Sequence, residues 1–168
     1  MTPEEPQGSA GISRRRMLGR MGAGVAVAWS APILTSVRIP AHAQVSPACR
    51  FVAKMDGSQE VPPVPSPGTG TADFVRTAPD TVDYTYTYQD LTSGVNGAHI
   101  HRAPPGQNGP IVIPLAIIPG STEGSVSDTA QADPALLDEI CANPGAFYIN
   151  VHTDLYPGGE IRGQLVGG

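Results

Sequence analysis

Three histidines in the second half of the chain have the type and spacing best suited to chemistry. His99 and His101 are two positions apart in an alternating polar and apolar segment, and His152 lies in a second such segment. Side chains two apart on a β-strand share a face, so His99 and His101 are predicted to point the same way. Imidazole nitrogens bind zinc and copper well, and three of them leave room for a further ligand. If the two strands are neighbours, the pattern predicts a three-histidine metal site.

Other polar residues fall on the same predicted face. In the segment that carries His152, residues 147, 149 and 151 are apolar and are predicted to face the core, which leaves Asn150 outward. In the last strand Ile161 and Leu165 are predicted to be buried, which leaves Glu160 and Arg162 outward with Gln164. The predicted further ligands, or residues that orient the histidines, are Glu160, Asp154, Arg162 and Asn150. A solvent-facing polar network, with Glu160 and Arg162 as a structural cluster, is the alternative.

Residues 1–43 are predicted to be a twin-arginine (Tat) export signal. Arg14 and Arg15 precede an apolar run from Met21 to Val37, and Ala41-His42-Ala43 is a small-x-small pattern that predicts cleavage after Ala43. An uncleaved membrane anchor is the alternative, but glycine and proline interrupt a run that is already short. The sequence therefore predicts a periplasmic or extracellular protein whose mature domain is residues 44–168.

The predicted mature domain is acidic, with 5 Lys and Arg residues against 13 Asp and Glu residues. A basic surface is missing, which argues against nucleic acid or an anionic membrane as a partner. No later segment is long and apolar enough to cross a bilayer. The length is sufficient for one domain with its own core.

Cys49 and Cys141 are the only cysteines, and both follow the predicted cleavage position. In an oxidising compartment an even pair predicts a disulfide bond. It would close a loop of about 93 residues and contribute on the order of 4–5 kcal/mol in the chain-entropy model. A lipoprotein cysteine at Cys49 is less consistent with Ser46-Pro47-Ala48 before it.

The rest of the pattern predicts an all-β fold, a Greek-key β-sandwich or barrel of seven or eight antiparallel strands. One short helix is predicted near 133–142, with Asp133 as its N-cap and Pro134 at its first position. Tyr84, Tyr86 and Tyr88 alternate with polar residues and are interpreted as a buried sheet face rather than an aromatic platform for sugars. The strands are predicted near residues 50–55, 69–77, 81–88, 95–101, 110–118, 121–130, 147–153 and 160–166.

Four motifs give the chain a family resemblance. Gly57–Val64, Ala98–His101, Asn108–Val112 and Tyr148–Gln164 resemble the CHRD (chordin) domain family, in the family's order and from about Arg50 to Val166. The family is named for repeats in the secreted animal protein chordin and occurs singly in exported bacterial proteins. The resemblance implies an extracytoplasmic β-domain. Arg102 stands where the family usually has glycine, which predicts a bulky cation beside the histidines.

Two functions follow from these observations. The first is an exported domain that binds copper or zinc through the three histidines. The alternative is a non-catalytic protein-interaction or adhesion module of the cell envelope, the role that chordin suggests. A hydrolase is disfavoured because the chain has no serine elbow, its cysteines are predicted to be paired, and no two carboxylates stand out as an acid/base pair. Enzyme activity stays undecided, and the sequence favours none.

Overall fold

Alternating sequences become strands throughout the described part of the protein. The computed structural model describes residues 49–168, so the predicted export signal, with Arg14, Arg15 and the cleavage position after Ala43, lies outside it. The elements are β1 (Arg50–Asp56), β2 (Thr69–Ala78), β3 (Thr81–Gln89), β4 (Val95–Arg102), β5 (Ile111–Pro114), β6 (Gly124–Gln131), α1 (Pro134–Ala142), β7 (Phe147–Thr153), β8 (Ile161–Gln164) and β9 (Val166–Gly167).

The strands form one antiparallel sheet that curves into a nearly closed barrel. Their order is β5-β4-β7-β8-β1-β2-β3-β6, and β9 pairs with β1. After β4, β5 and β6 the chain returns so that β7 lies beside β4, which is a Greek-key connection. The predicted all-β class and the single short helix are confirmed. The order makes β4, β7 and β8 neighbours, and these strands carry the candidate metal ligands.

Aromatic rings fill the barrel interior along β1, β2 and β3. The rings of Phe51, Phe74, Tyr84, Tyr86 and Tyr88 follow one another with centroids 5.0 to 6.3 Å apart. All five are buried, and the tyrosine hydroxyls reach backbone or side-chain partners, as buried hydroxyls must. The interpretation of the tyrosine row as a buried sheet face is confirmed.

The helix is fastened to the sheet at several points. Its N-cap Asp133 accepts a hydrogen bond from the Ala135 backbone N–H, and Leu137 and Ile140 are buried against the core. Cys49, just before β1, is bonded to Cys141 in α1, with their Cα atoms 5.7 Å apart. The predicted disulfide is therefore confirmed. Within residues 49–168, no helix is long and apolar enough to cross a membrane.

Two predicted strands are shorter than expected. The segment predicted over 110–118 is a strand only from Ile111 to Pro114, at the end of the strand order. Pro110 and Pro114 lack the N–H that a longer ladder needs, and Ala116 bonds to the Tyr84 and Tyr86 hydroxyls instead. The last predicted strand is divided into β8 and β9, with Leu165 buried between them.

Candidate metal centre

The pairing of β4 with β7 places the histidines on one face of the sheet. Gly97 lies opposite His152, His99 opposite Asn150, and His101 opposite Tyr148. The intervening residues Ala98, Ile100, Ile149 and Val151 are almost fully buried on the core side. Because alternate residues face opposite sides of a strand, the histidines share the face that points away from the core. The parity predicted from the sequence is confirmed.

The three imidazoles converge closely enough to hold one ion. Their ring centroids lie 4.9 Å apart for His99 and His152, 5.6 Å for His99 and His101, and 5.9 Å for His101 and His152. One candidate ligand atom from each histidine lies within 4.8 Å of the others. Gly97 lies close to two of the rings, since a Cβ there would lie 3.2 Å from His99 Cε1, a tight contact, and 3.4 Å from His152 Cδ2.

Backbone carbonyls orient two of the rings. His101 Nδ1 lies 2.9 Å from the Gly109 carbonyl oxygen, and His152 Nδ1 lies 3.0 Å from that of Pro157. A carbonyl only accepts, so each Nδ1 donates its proton and each Nε2 keeps a free lone pair. These two Nε2 atoms and His99 Nδ1 are buried, and none has a hydrogen-bond partner among residues 49–168. Each ring therefore has one buried nitrogen without a partner in the described chain, Nε2 in His101 and His152 and Nδ1 in His99.

Burial also keeps the imidazoles neutral. It lowers the pKa of His99 to about 4, with repulsion from His152 and His101 as smaller causes. The pKa values of His101 and His152 are lowered by burial as well, against the opposing effect of their carbonyl partners. A neutral imidazole can donate a lone pair to a metal, whereas an imidazolium cannot. At neutral pH the cluster could therefore hold a cation.

Glu160 and Asp154 are not brought to the histidines. Glu160 is fully buried and accepts hydrogen bonds from Ser66 Oγ at 2.6 Å, the Thr92 N–H at 2.7 Å and Thr153 Oγ1 at 2.7 Å. Asp154 is exposed and accepts a hydrogen bond from Asn96 Nδ2 at 3.1 Å. The group of converging ligand atoms in the described chain contains only the three histidines. Glu160 instead ties three separate segments together.

Arg162 lies on the histidine face but supports it indirectly. Its guanidinium carbon is 3.4 Å from the centre of the Tyr148 ring, and the His101 ring stacks on Tyr148 at 4.9 Å. Arg162 N–H groups donate to the carbonyls of Gln107 and Pro104, in the loop that follows β4. Between residues 49 and 168, Arg162 and Glu160 form no ion pair. Arg162 therefore holds the loop whose Gly109 carbonyl orients His101.

The prediction that Arg102 places a cation beside the histidines is wrong. Arg102 follows His101 directly, so its side chain emerges on the opposite face of β4. It pairs with Glu139 of α1 at 2.6 Å, and its guanidinium carbon lies 5.5 Å from the centre of the Phe147 ring. The cation contributes to helix docking and leaves the histidine face free.

Sequence reasoning missed Glu60, which lies between β1 and β2. Its side chain is 5% exposed and its Oε1 atom has no hydrogen-bond partner in the described chain. Burial raises the pKa of Glu60 to about 7, although Arg162 and the Asn150 amide act in the opposite direction. The only sequence signal was the Glu60 position in a family motif, since a proline-rich loop predicts exposure.

Most of the described domain matches one known protein family. Residues 51–165 match the family model described as the CHRD domain. The chain belongs to the CHRD domain family. The match includes the three histidines, Asn150 and Glu60, and it confirms the resemblance expected from the sequence motifs. No curated protein and no solved structure matches this CHRD chain.

We predict that Gly159→Ala strongly destabilises the CHRD domain. Gly159 has φ of +125°, and a Cβ there would lie 2.4 Å from Glu60 Oε1 and 2.5 Å from Asn150 Nδ2. The backbone strain and the collision should together cost about 3 kcal/mol, measured by urea unfolding. Gly158→Ala is the matched control, because nothing lies within 4 Å of its Cβ, and it should change stability by less than about 0.5 kcal/mol. Equal effects of the two substitutions would contradict the close packing.

A second prediction concerns pH and Glu60. A carboxyl whose folded-state pKa is raised, here from 4.5 to about 7, stabilises the fold below pH 4.5 and loses this contribution as pH rises through 7. Metal-free Glu60→Gln should therefore gain about 2 kcal/mol over the wild-type protein between pH 5 and pH 8. The histidines titrate in both proteins and cancel in the difference. Urea unfolding across this range checks it, with Asp154→Asn as the control; a difference that did not change with pH would refute it.

Proposed function

We propose that this CHRD domain is an exported metal-binding domain that holds a copper or zinc ion on His99, His101 and His152. The observation that carries the proposal is the convergence of three imidazoles, each of which has one buried nitrogen without a hydrogen-bond partner in the described chain. Lone pairs that face one another away from water are costly unless a proton or a cation lies among them. The lowered histidine pKa values disfavour a proton, so a cation is the better partner.

The chemistry of the unpaired atoms supports the same conclusion. Five buried side-chain atoms lack hydrogen-bond partners within residues 49–168, and all five can offer a lone pair: Glu60 Oε1, His99 Nδ1, His101 Nε2, Asn150 Oδ1 and His152 Nε2. When the His99 proton is on Nε2, all five of these atoms are acceptors, and together they are complementary to a positive charge. Imidazole nitrogens suit zinc and copper, whereas calcium and magnesium prefer sets of oxygen ligands.

The role of each residue in this proposal follows from its contacts. The three histidines bind the ion, and the Gly109 and Pro157 carbonyls hold two of the rings in the ligating tautomer. Tyr148 and Arg162 support the His101 ring and the loop beside it. Storage or delivery of the ion requires no more than this. The site residues give no support to a particular reaction.

The metal proposal predicts one bound ion per chain. Zn(II) and Cu(II) titrations of the purified protein should saturate at one equivalent, and each of His99→Ala, His101→Ala and His152→Ala should weaken binding by roughly 100-fold, since each removes one of three donors. Asp154→Asn should bind like the wild-type protein, because Asp154 lies apart from the cluster. Wild-type binding no tighter than that of the histidine variants would remove the metal function and favour the interaction or adhesion module.

Export by the Tat route is part of the proposal. It is supported by Arg14 and Arg15, by the Ala41-His42-Ala43 pattern, and by a disulfide bond, which is typical of oxidising compartments. In a bacterial host the processed protein should begin at Gln44, and Arg14→Lys/Arg15→Lys should leave the uncleaved chain in the cytoplasm. N-terminal sequencing and cell fractionation check this. Normal export of the double variant would contradict the Tat route.

A further inference from the structure

Asn150 occupies the middle of the histidine face. It lies opposite His99 across the β4–β7 pair and two residues before His152, on the same side of β7. Its side chain is 2% exposed, and its Oδ1 atom is buried without a hydrogen-bond partner among the described residues. A buried amide oxygen in a native protein normally has a donor. Something that is not part of the described chain is therefore the natural partner of this oxygen.

The orientation of the Asn150 amide can be read from its neighbours. Its Nδ2 donates to the Gly158 carbonyl, so Oδ1 is the free end of the amide, and the register of β7 with β4 puts Asn150 on the face that carries His99 and His101. His101 uses Nδ1 to donate to Gly109, which leaves its buried Nε2 without a partner in the described chain. In the neutral state both His101 Nε2 and Asn150 Oδ1 are acceptors, so neither can donate to the other. A cation could accept a lone pair from each.

Glu60 lies near the Nδ2 end of the Asn150 side-chain amide. Asn150 Nδ2 donates to the Gly158 carbonyl at 3.4 Å, and Glu60 Oε1 and Asn150 Nδ2 both lie against Gly159. Glu60 has no ion pair within residues 49–168, and Arg162 directs its hydrogen bonds to the Pro104–Asn108 loop and to Gln164. The Gly158 carbonyl accepts from Nδ2 and the Glu60 carboxyl lies beside it, which leaves Oδ1 as the end of the amide available to a ligand.

We propose that Asn150 Oδ1 is an oxygen ligand beside the three histidine nitrogens, that Glu60 positions it, and that the site therefore selects Cu(II) or Zn(II) over Cu(I). This inference rests on the proposed metal function. An amide oxygen is a harder ligand than imidazole and favours the divalent ion. The charge of Glu60 attracts a divalent ion twice as strongly as a monovalent one at the same distance. The soft ligands that Cu(I) prefers are absent from the described site, since both cysteines are bonded to each other and Met55 lies in the core.

The test compares the three ions in the same variants. Competition titrations with chelators would give Kd for Zn(II), Cu(II) and, without oxygen, Cu(I), in wild-type protein, Glu60→Gln and Asn150→Leu. Both variants should weaken Zn(II) and Cu(II) binding by roughly 10-fold or more, as loss of an orienting contact typically does. Cu(I) binding should weaken by clearly less, because a single positive charge feels half the attraction of a double one. Asn150→Asp places a carboxylate oxygen at the same position and should retain the divalent preference. Asp154→Asn is the matched control and should change none of the three constants.

The outcomes distinguish a failure of the three-histidine metal site from a failure of the role assigned to Asn150 and Glu60. A wild-type protein that binds none of the ions would overturn the histidine site and this inference with it. Tight wild-type binding with unchanged divalent constants in Glu60→Gln and Asn150→Leu would overturn the inference alone. An equal loss for all three ions would also overturn it, because a merely structural role does not distinguish oxidation states. Melting temperatures of the metal-free variants identify a misfolded protein, and Asn150→Asp then decides the question.

Discussion

The antiparallel pairing of β4 with β7 is the constraint on which the rest of this domain depends. Its register puts Ala98 and Ile100 with Ile149 and Val151 in the core, and the same register puts the histidines together on the outer face. A slip of one residue would reverse both faces at once, exposing the apolar set and burying the imidazoles. Core packing therefore stabilises the geometry of the candidate metal centre, because neither can change without the other.

Two loops orient the histidine rings that the strands bring together. The Gly109 carbonyl belongs to the loop after β4, and the Pro157 carbonyl belongs to the β7–β8 hairpin, so two loops determine how the rings present their nitrogens. Arg162 holds the first loop, and Glu160 accepts hydrogen bonds from residues before β2, after β3 and at the end of β7. These buried charges are tolerated because their hydrogen bonds are satisfied. They stabilise the surroundings of the site and leave its lone pairs free.

The contrast between satisfied and unsatisfied groups gives the face its chemical character. Buried polar side-chain atoms across the described chain have partners, except for five, four of which belong to the paired strands β4 and β7 and the fifth to Glu60. Concentrating acceptors in this way is unfavourable for the metal-free fold and favourable for cation binding. Under the proposed metal function, binding of an ion would offset this cost and would therefore stabilise the fold. This expected linkage between binding and folding distinguishes the proposal from a purely structural polar surface.

Periodicity and residue type were enough to determine several features from the sequence. Alternation identified the strands and the shared parity of His99, His101 and His152, and a single pair of cysteines left one possible disulfide. The same parity rule places Arg102 on the opposite face of β4. The prediction that Arg102 lies beside the histidines was wrong because it relied on closeness in sequence. These features are local, because the pleat repeats every two residues whatever the rest of the chain does.

The tertiary structure decided the features that depend on distant segments. Glu160 shares the predicted alternation, yet its carboxylate accepts hydrogen bonds from residues of three other segments. Asp154 accepts a hydrogen bond from Asn96 instead of approaching the histidines. Glu60 comes from a proline-rich loop and is buried because the β7–β8 hairpin brings Gly159 against it. A sequence encodes which face a side chain takes on its own strand. Which loop covers that face, and which buried atoms are left without partners, is set by long-range packing that no local period describes.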